Sequence, residues 1–393
     1  MGQARTGGGV RMKITVLGAG PAGLYFAYLM KRSWPAYSVR VIEQNPPDAT
    51  FGFGVVLSGR ALAFLAEGDS AAIARLTASM QTWSEQRIVH RGELVTIDGS
   101  AYSAISRIGL LRELQALCAE AGVELRFNQR AQDEADPGDC DVLVAADGAN
   151  SMLRDRHAGI LGTRAADLQN HFAWYGVERP YPAHTLTFKS TAAGVFCAHH
   201  YRYTPGMSTF VAETDAETWR RSGMEAMDED ARRRYTEAVF ADTLGGRPLV
   251  SNKSAWRRWR LVKNERWHHG NMVLIGDALR SAHPSIGSGT RLAMEDSIAL
   301  WRAFTAESGN GGNMIGAAFE RYERERKPVR DRLNTAAEKS IAWYEAMAEK
   351  MKLAPYDFVH DYLLRTGVMT AERLARESPG FMQRHAQYRK GIA

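Results

Sequence analysis

The sequence predicts an α/β protein: a Rossmann-like nucleotide-binding domain that is discontinuous along the chain, an inserted β-sheet domain and a C-terminal helical segment. Three observations carry this. A short β-branched run meets a glycine-rich turn, a helix-periodic stretch and a second strand that ends on an acid, the order of a βαβ unit. The middle of the chain changes to short alternating strands. Near residue 271 a buried strand of the first kind returns and again runs into glycine and an acid.

Lys13 to Leu17 (KITVL) reads as the first strand, followed by Gly18-Ala19-Gly20-Pro21-Ala22-Gly23 and a helix over Leu24 to Lys31. Val39 to Ile42 is the second strand and ends at Glu43. A helix follows over Arg107 to Ala121, with leucines at 110, 111, 114 and 117; Gly122 ends it, and Val123 to Phe127 reads as a strand. Asp141 to Ala146 is a near-continuous apolar run of the kind parallel sheets bury on both faces. From about Asn170 to Leu261 the strands read as antiparallel: Thr185–Phe188, Gly194–Ala198 and Ser208–Ala212, then a charged helix over Asp228 to Ala241. Asn271 to Ile275 resumes the first style and runs into Gly276-Asp277; a helix begins near Thr290, and the remainder is charge-rich and helical.

Bulk properties narrow the class. Among 393 residues, 45% are hydrophobic and 24% charged, an ordinary globular balance. No apolar run approaches the roughly 20 residues a membrane span needs. Residues 1–11 are glycine-rich with no apolar core, so they read as a flexible tail and not as a secretory signal. Three well-separated cysteines (Cys118, Cys140, Cys197) argue against a disulfide framework or zinc site and for a reducing, cytoplasmic setting. A net charge of +6 favours anionic ligands, but no nucleic-acid motif accompanies it, and His268-His269 has no partner at metal-ligand spacing. The expectation is therefore no nucleic acid, no membrane, no metal, and a monomer or homodimer.

The glycine turn carries specific chemistry. Gly18 permits the tight turn, Gly20 lets a pyrophosphate approach the backbone, and Gly23 lets helix and strand pack closely. The helix N-terminus then faces the phosphates, and Glu43, twenty residues beyond Gly23, can accept from a ribose hydroxyl. Two further motifs follow buried strands: Asp147-Gly148-x-x-Ser151-x-x-Arg154, and Gly276-Asp277 with Pro284 and Gly287-x-Gly289 leading into a helix.

This triple of motifs, in this order over residues 12 to 330, resembles the class A flavoprotein aromatic monooxygenases, the group of para-hydroxybenzoate hydroxylase. The resemblance implies FAD, with Gly18, Gly20, Gly23 and Glu43 holding its ADP half. It implies Arg107 at the middle of FAD, Asp147 and Gly148 at the pyrophosphate and the passing nicotinamide nucleotide, and Asp277 on the ribityl chain. Pro284, Gly287, Gly289 and Thr290 would approach the flavin ring at a helix N-terminus, which favours negative charge on reduced flavin. Arg280 and Thr290 depart from the histidine and asparagine common in the family. The implied domains are 12–168 with 262–330 for FAD, 169–261 for substrate and 331–393 as C-terminal helices.

The stretch Phe51 to Ser58, Ala282 to Thr290 and Ala198-His199-His200-Tyr201 resemble a subgroup, the salicylyl-CoA 5-hydroxylases, with 2-aminobenzoyl-CoA monooxygenase and the violacein-pathway hydroxylase similar. The chemistry so implied uses NADH or NADPH and O2, proceeds through a flavin C4a-hydroperoxide, and hydroxylates a small electron-rich aromatic substrate, an aryl-CoA thioester first among them. A free indole or phenol is the alternative, and an FAD-dependent reductase or oxidase the further one. His199 and Tyr201 on an insert strand, and His283 beside the expected flavin ring, are the candidate catalytic residues. Arg257, Arg258, Arg260, Lys263 and Arg266 form a basic stretch that could meet CoA phosphates or simply be a solvated face.

Overall fold

In this computed structural model the described residues are 11–50, 52–130, 140–283 and 289–392. Most of the expected tail, Phe51, and the expected cofactor residues Pro284 and Gly287 lie outside them.

A six-stranded sheet runs in the order His268–His269, Met272–Leu274, Val142–Ala145, Lys13–Leu17, Ser38–Ile42, Glu124–Arg126. All its pairings are parallel except the edge hairpin His268–His269 with Met272–Leu274. Leu17 and Leu274 are both in register with Ala145. Three strands from distant parts of the chain therefore end level, and the turns that follow them, at Gly18, Asp147 and Gly276, emerge side by side. In open parallel sheets ligands bind at such carboxyl ends. Helix Pro21–Ser33 packs between helices Arg107–Ala121 and Gly289–Ala306 over this sheet.

The second sheet runs Leu249–Val250, Arg164–Val177, Ser208–Thr214, Val195–Arg202, His184–Ser190, Gln86–His90, Glu93–Ile97, with Arg257–Lys263 also pairing to Arg164–Val177. It is antiparallel apart from the parallel pair His184–Ser190 and Gln86–His90. Both faces are covered. Phe196, Ala198 and Phe210 pack into one core with Trp219 and Phe240, while Cys197, Leu186 and Phe188 pack into another with Trp343, Tyr344, Phe358 and Tyr362 of the C-terminal helices. Double coverage explains why Ser208–Thr214 is buried at all seven positions despite its polar residues. A third sheet, Gly54–Ser58, Tyr102–Ser106 and Gln81–Trp83, is built from the chain between strands Ser38–Ile42 and Glu124–Arg126 of the first.

The elements correct the expected domain boundaries. Strands Gln86–His90 and Glu93–Ile97, expected within 12–168, belong to the second sheet because their alternating burial matches its half-covered edge. The boundary at 168/169 cuts strand Arg164–Val177, that at 261/262 cuts Arg257–Lys263, and that at 330/331 cuts helix Met314–Glu345. That helix spans 32 residues, running through Pro328. Among the described residues no helix is long and apolar enough to cross a membrane.

Candidate active site

The glycine turn separates two kinds of glycine. A Cβ at Gly18 would stand 2.3 Å from the Ala146 carbonyl oxygen, and φ there is +104°. A Cβ at Gly23 would stand 2.1 Å from the Gly18 carbonyl oxygen. Both are required by the chain's own packing. Gly20 is different: a Cβ there would meet nothing within 4 Å. It is also the N-cap of Pro21–Ser33 and offers no side-chain cap to the first-turn N–H groups. Open space beside uncapped donors fits a phosphate-bearing cofactor. Glu43 accepts from the Ala19 amide at 2.9 Å through Oε2 and from the Asn45 amide and side chain through Oε1. It thus ties the turn to the end of the second strand and leaves lone pairs for a ribose hydroxyl.

The other two motifs are stitched together next to it. Asp147 Oδ2 accepts from the Met152 amide at 2.9 Å, whereas buried Oδ1 has no partner among the described residues. Burial pushes this carboxyl above its ordinary range. Gly148 has φ +83°, and a Cβ there would meet nothing within 4 Å. Ser151 caps the next short helix, and buried Arg154 reaches the Ala278 carbonyl at 3.4 Å. On the late turn, burial pushes the Asp277 carboxyl up, with Arg330 and Arg107 opposing. Burial pushes the Arg107 guanidinium down, with Asp277 and Tyr201 opposing. Arg107 and Asp277, 170 residues apart, are therefore mutual electrostatic neighbours, and Arg107 also reaches the insert strand. The Asp277 turn is held from behind: the Gly276 amide donates to Asp296 Oδ2 at 3.2 Å, and Asp296 is bridged by Arg326 at 2.9 Å and Arg330 at 3.3 Å, all buried. Arg280, which departs from the family's histidine, turns outward to Asp331 at 2.9 Å. Gly289 and Thr290 begin helix Gly289–Ala306.

Strand alternation decides between the adjacent histidines. His200 faces the core, 2.9 Å from Thr187 Oγ1 and against Tyr181 and Phe210. His199 points the other way, with Nε2 3.0 Å from the Tyr344 hydroxyl. Tyr201 shares its face and donates to the Gly54 carbonyl at 3.0 Å, so its hydroxyl clamps the Gly54 strand. His283 is buried edge-on to Trp259. Burial pushes His199 well below the usual histidine range, with His184 and His283 among its neighbours, and takes His283 and His184 to about 4, so all three are neutral at neutral pH. Cys197, His199 and Glu213 bring ligand-capable atoms within 4.8 Å of one another, a grouping the expectation of no metal did not include. Asn170 holds Glu213 at 2.8 Å, and burial raises that carboxyl to about 7.

Sequence reading missed Tyr102, His184, Tyr344, Tyr362 and Arg365, which gather around His199 from four elements. Only the aromatic density of the last helices hinted at them. The basic stretch splits up: Arg257 lies over Phe172, Arg258 donates to the Leu168 and Asp167 carbonyls, Lys263 pairs with Glu338, and Arg266 lines a separate open cleft of about 820 Å³ with His268 and Arg324. That cleft contains none of the motif residues.

Comparisons with known proteins agree with this geometry. The family described as FAD binding domain matches residues 11–337. Salicyloyl-CoA 5-hydroxylase of a Streptomyces species is 35% identical over 365 residues, covering 90% of this chain and 70% of that protein. Protodeoxyviolaceinate monooxygenase of Chromobacterium violaceum is 33% identical over 355 residues, covering 89% and 94%. Among solved structures, P. aeruginosa PqsL in complex with 2-aminobenzoylacetate superposes with a TM-score of 0.67 at 20% identity, covering 85% of this chain and 97% of PqsL. With three nucleotide-type turns level at the ends of neighbouring parallel strands, and with these matches, the chain belongs to the FAD-binding family of flavoprotein aromatic monooxygenases.

Proposed function

We propose that this aromatic hydroxylase acts on an aryl thioester, a salicylyl-type CoA ester first, with NADH or NADPH as reductant. The observation that carries the reading is Arg107, within electrostatic reach of both Asp277 on the cofactor side and Tyr201 on the substrate side. This supports one guanidinium standing between the middle of a bound FAD and the aromatic wall.

When bound, FAD supplies dioxygen activation and delivers one oxygen atom to the ring. The chain's own residues do the rest. Gly20 and the uncapped N-terminus of Pro21–Ser33 receive the pyrophosphate, Glu43 the ribose, and Arg107 and Asp277 the middle of the cofactor. His199 and His184, half-buried, and His283, buried, are all neutral, and a bound ring covering them would shield a reactive oxygen donor from water. A thioester suits this wall because it removes the carboxylate charge that would be costly to bury there. Arg260, exposed on strand Arg257–Lys263, is the freest candidate for a screened contact with CoA phosphates.

A second reading, a free indole or phenol, is favoured by the violacein-pathway relative, which is nearly as similar as the CoA-ester relative. Incubating the FAD-loaded protein with salicylyl-CoA, salicylate, 2-aminobenzoyl-CoA and a free indole, and scoring hydroxylated product, tests both. Product from the thioesters alone is the expected result; equal product from salicylate or the indole overturns the thioester reading. NADH and NADPH run in parallel settle the reductant by their relative kcat/KM.

A further inference from the structure

Tyr102, His184, His199, Tyr344, Tyr362 and Arg365 converge on the side of the second sheet that faces away from His200. Tyr102 and His184 rings are 5.4 Å apart, and His184 and His199 rings 6.4 Å. The Tyr344 hydroxyl lies 3.0 Å from His199 Nε2 and 3.4 Å from the Tyr362 hydroxyl. Arg365, at the C-terminus of helix Pro355–Leu364, lays its guanidinium 3.8 Å from the Tyr362 ring centre and 5.9 Å from that of Tyr344. Its Nε donates to Ser340 Oγ at 3.0 Å and Nη1 to the Tyr362 carbonyl at 2.8 Å. Stacking and two donated bonds fix its direction.

Its field reaches Tyr102, His184, His199 and Tyr344. Burial keeps both histidines neutral and raises both of those phenols, so Arg365 is the one charged group of these six at neutral pH. A fixed cation among neutral rings and imidazoles is complementary to an anion on an aromatic ring, the more so at low local dielectric.

We propose that Arg365, supplied by the C-terminal segment, is a specificity-determining residue of the aromatic site: it selects rings that carry an ionisable oxygen and holds that oxygen as the phenolate. This rests on the aromatic-hydroxylase reading and sharpens it. A hydroxyaryl thioester gains from the charge, while an aminoaryl thioester or an indole, neutral at the same atom, does not. The phenol proton leaves to solvent on binding. The phenolate also feeds electron density to the ring position that oxygen attacks. Glu213, which titrates near pH 7 behind Tyr344 and Cys197, is the other group able to add a pH dependence here.

The test uses FAD-loaded protein and 4-nitrophenol as probe, read by difference absorbance of nitrophenolate across pH. In the wild type the bound probe should ionise about one pH unit below the free probe, the shift an opposite charge produces. Arg365→Met should bring it back to the free value, Arg365→Lys should keep most of the shift, and Glu213→Gln should leave it in place. An equal shift in wild type and Arg365→Met, or none in either, overturns the proposal and leaves the hydroxylase reading standing. Failure of the wild type to bind 4-nitrophenol at all also overturns the role of Arg365 and leaves the hydroxylase reading standing. Should Arg365→Met not fold, the wild type alone decides: 4-nitrophenol must bind about tenfold more tightly than its methyl ether, a difference of about 1.4 kcal/mol, and equal binding refutes the role of Arg365.

Discussion

The carboxyl end of the parallel sheet and the inner face of the antiparallel sheet do comparable work in opposite ways. At the first, backbone geometry would hold the proposed cofactor: glycines, amide donors and strand register, with Leu17, Ala145 and Leu274 level. At the second, side chains do it: His199, Tyr344 and Arg365 owe their positions to packing across elements that are far apart in sequence. Backbone sites tolerate few changes and recur wherever the cofactor does. Side-chain sites can be rewritten one residue at a time.

Mutations should separate the two regions. The largest effect is expected at Gly20. Valine there meets no protein atom within 4 Å of its Cβ, so Gly20→Val should fold, as circular dichroism would show, yet purify without FAD. Gly18→Ala, with a 2.3 Å clash and positive φ, should instead lose the fold. A folded, flavin-loaded Gly20→Val would mean that the turn serves structure alone. Next, Asp277→Ala should weaken FAD binding by about 1.5–3 kcal/mol, the worth of a charge-assisted hydrogen bond, measured by flavin fluorescence titration. His199→Ala should leave FAD affinity unchanged and lower hydroxylation by about tenfold or more; equal loss of both would mark it as structural. The smallest effect concerns pH. Burial raises Glu213 from 4.5 to about 7, so the folded chain binds a proton there that the unfolded chain has released. That stability is complete below pH 4.5 and is lost as pH rises through 7. Thermal melts should show the wild-type midpoint falling across this window and a flatter profile in Glu213→Gln.

The same division explains what was legible beforehand. Gly18, Gly20, Gly23, Glu43, Asp147 and Asp277 are close to their strands in sequence, so spacing put each just past a strand, while the family resemblance implied that Asp147 and Asp277 serve the same cofactor as the glycine turn. His199 was legible as a strand residue, but which of His199 and His200 faced the site depended on sheet coverage that periodicity cannot supply. Arg365 and His184 sit in no local motif, and their meeting depends on how the C-terminal helices dock on the second sheet. Strands Gln86–His90 and Glu93–Ile97 form a local hairpin that went unread because both are short; that the hairpin joins the second sheet, through Gln86–His90 and a strand about a hundred residues onward, is a separation that local patterning does not record.

Helix Met314–Glu345 touches both regions. Near its middle, Arg326 and Arg330 grip Asp296 and so the Gly276 turn; at its end, Tyr344 holds His199. Fourteen residues separate Arg330 from Tyr344, about 21 Å of helix at 1.5 Å per residue. The helix is a spacer bar that sets the interval between the Gly276 turn and His199, and so between the proposed cofactor and substrate sites. Adding or removing one residue between those two points would swing Tyr344 by about 100° around the axis. Point substitutions along it are open to drift, whereas its length is not.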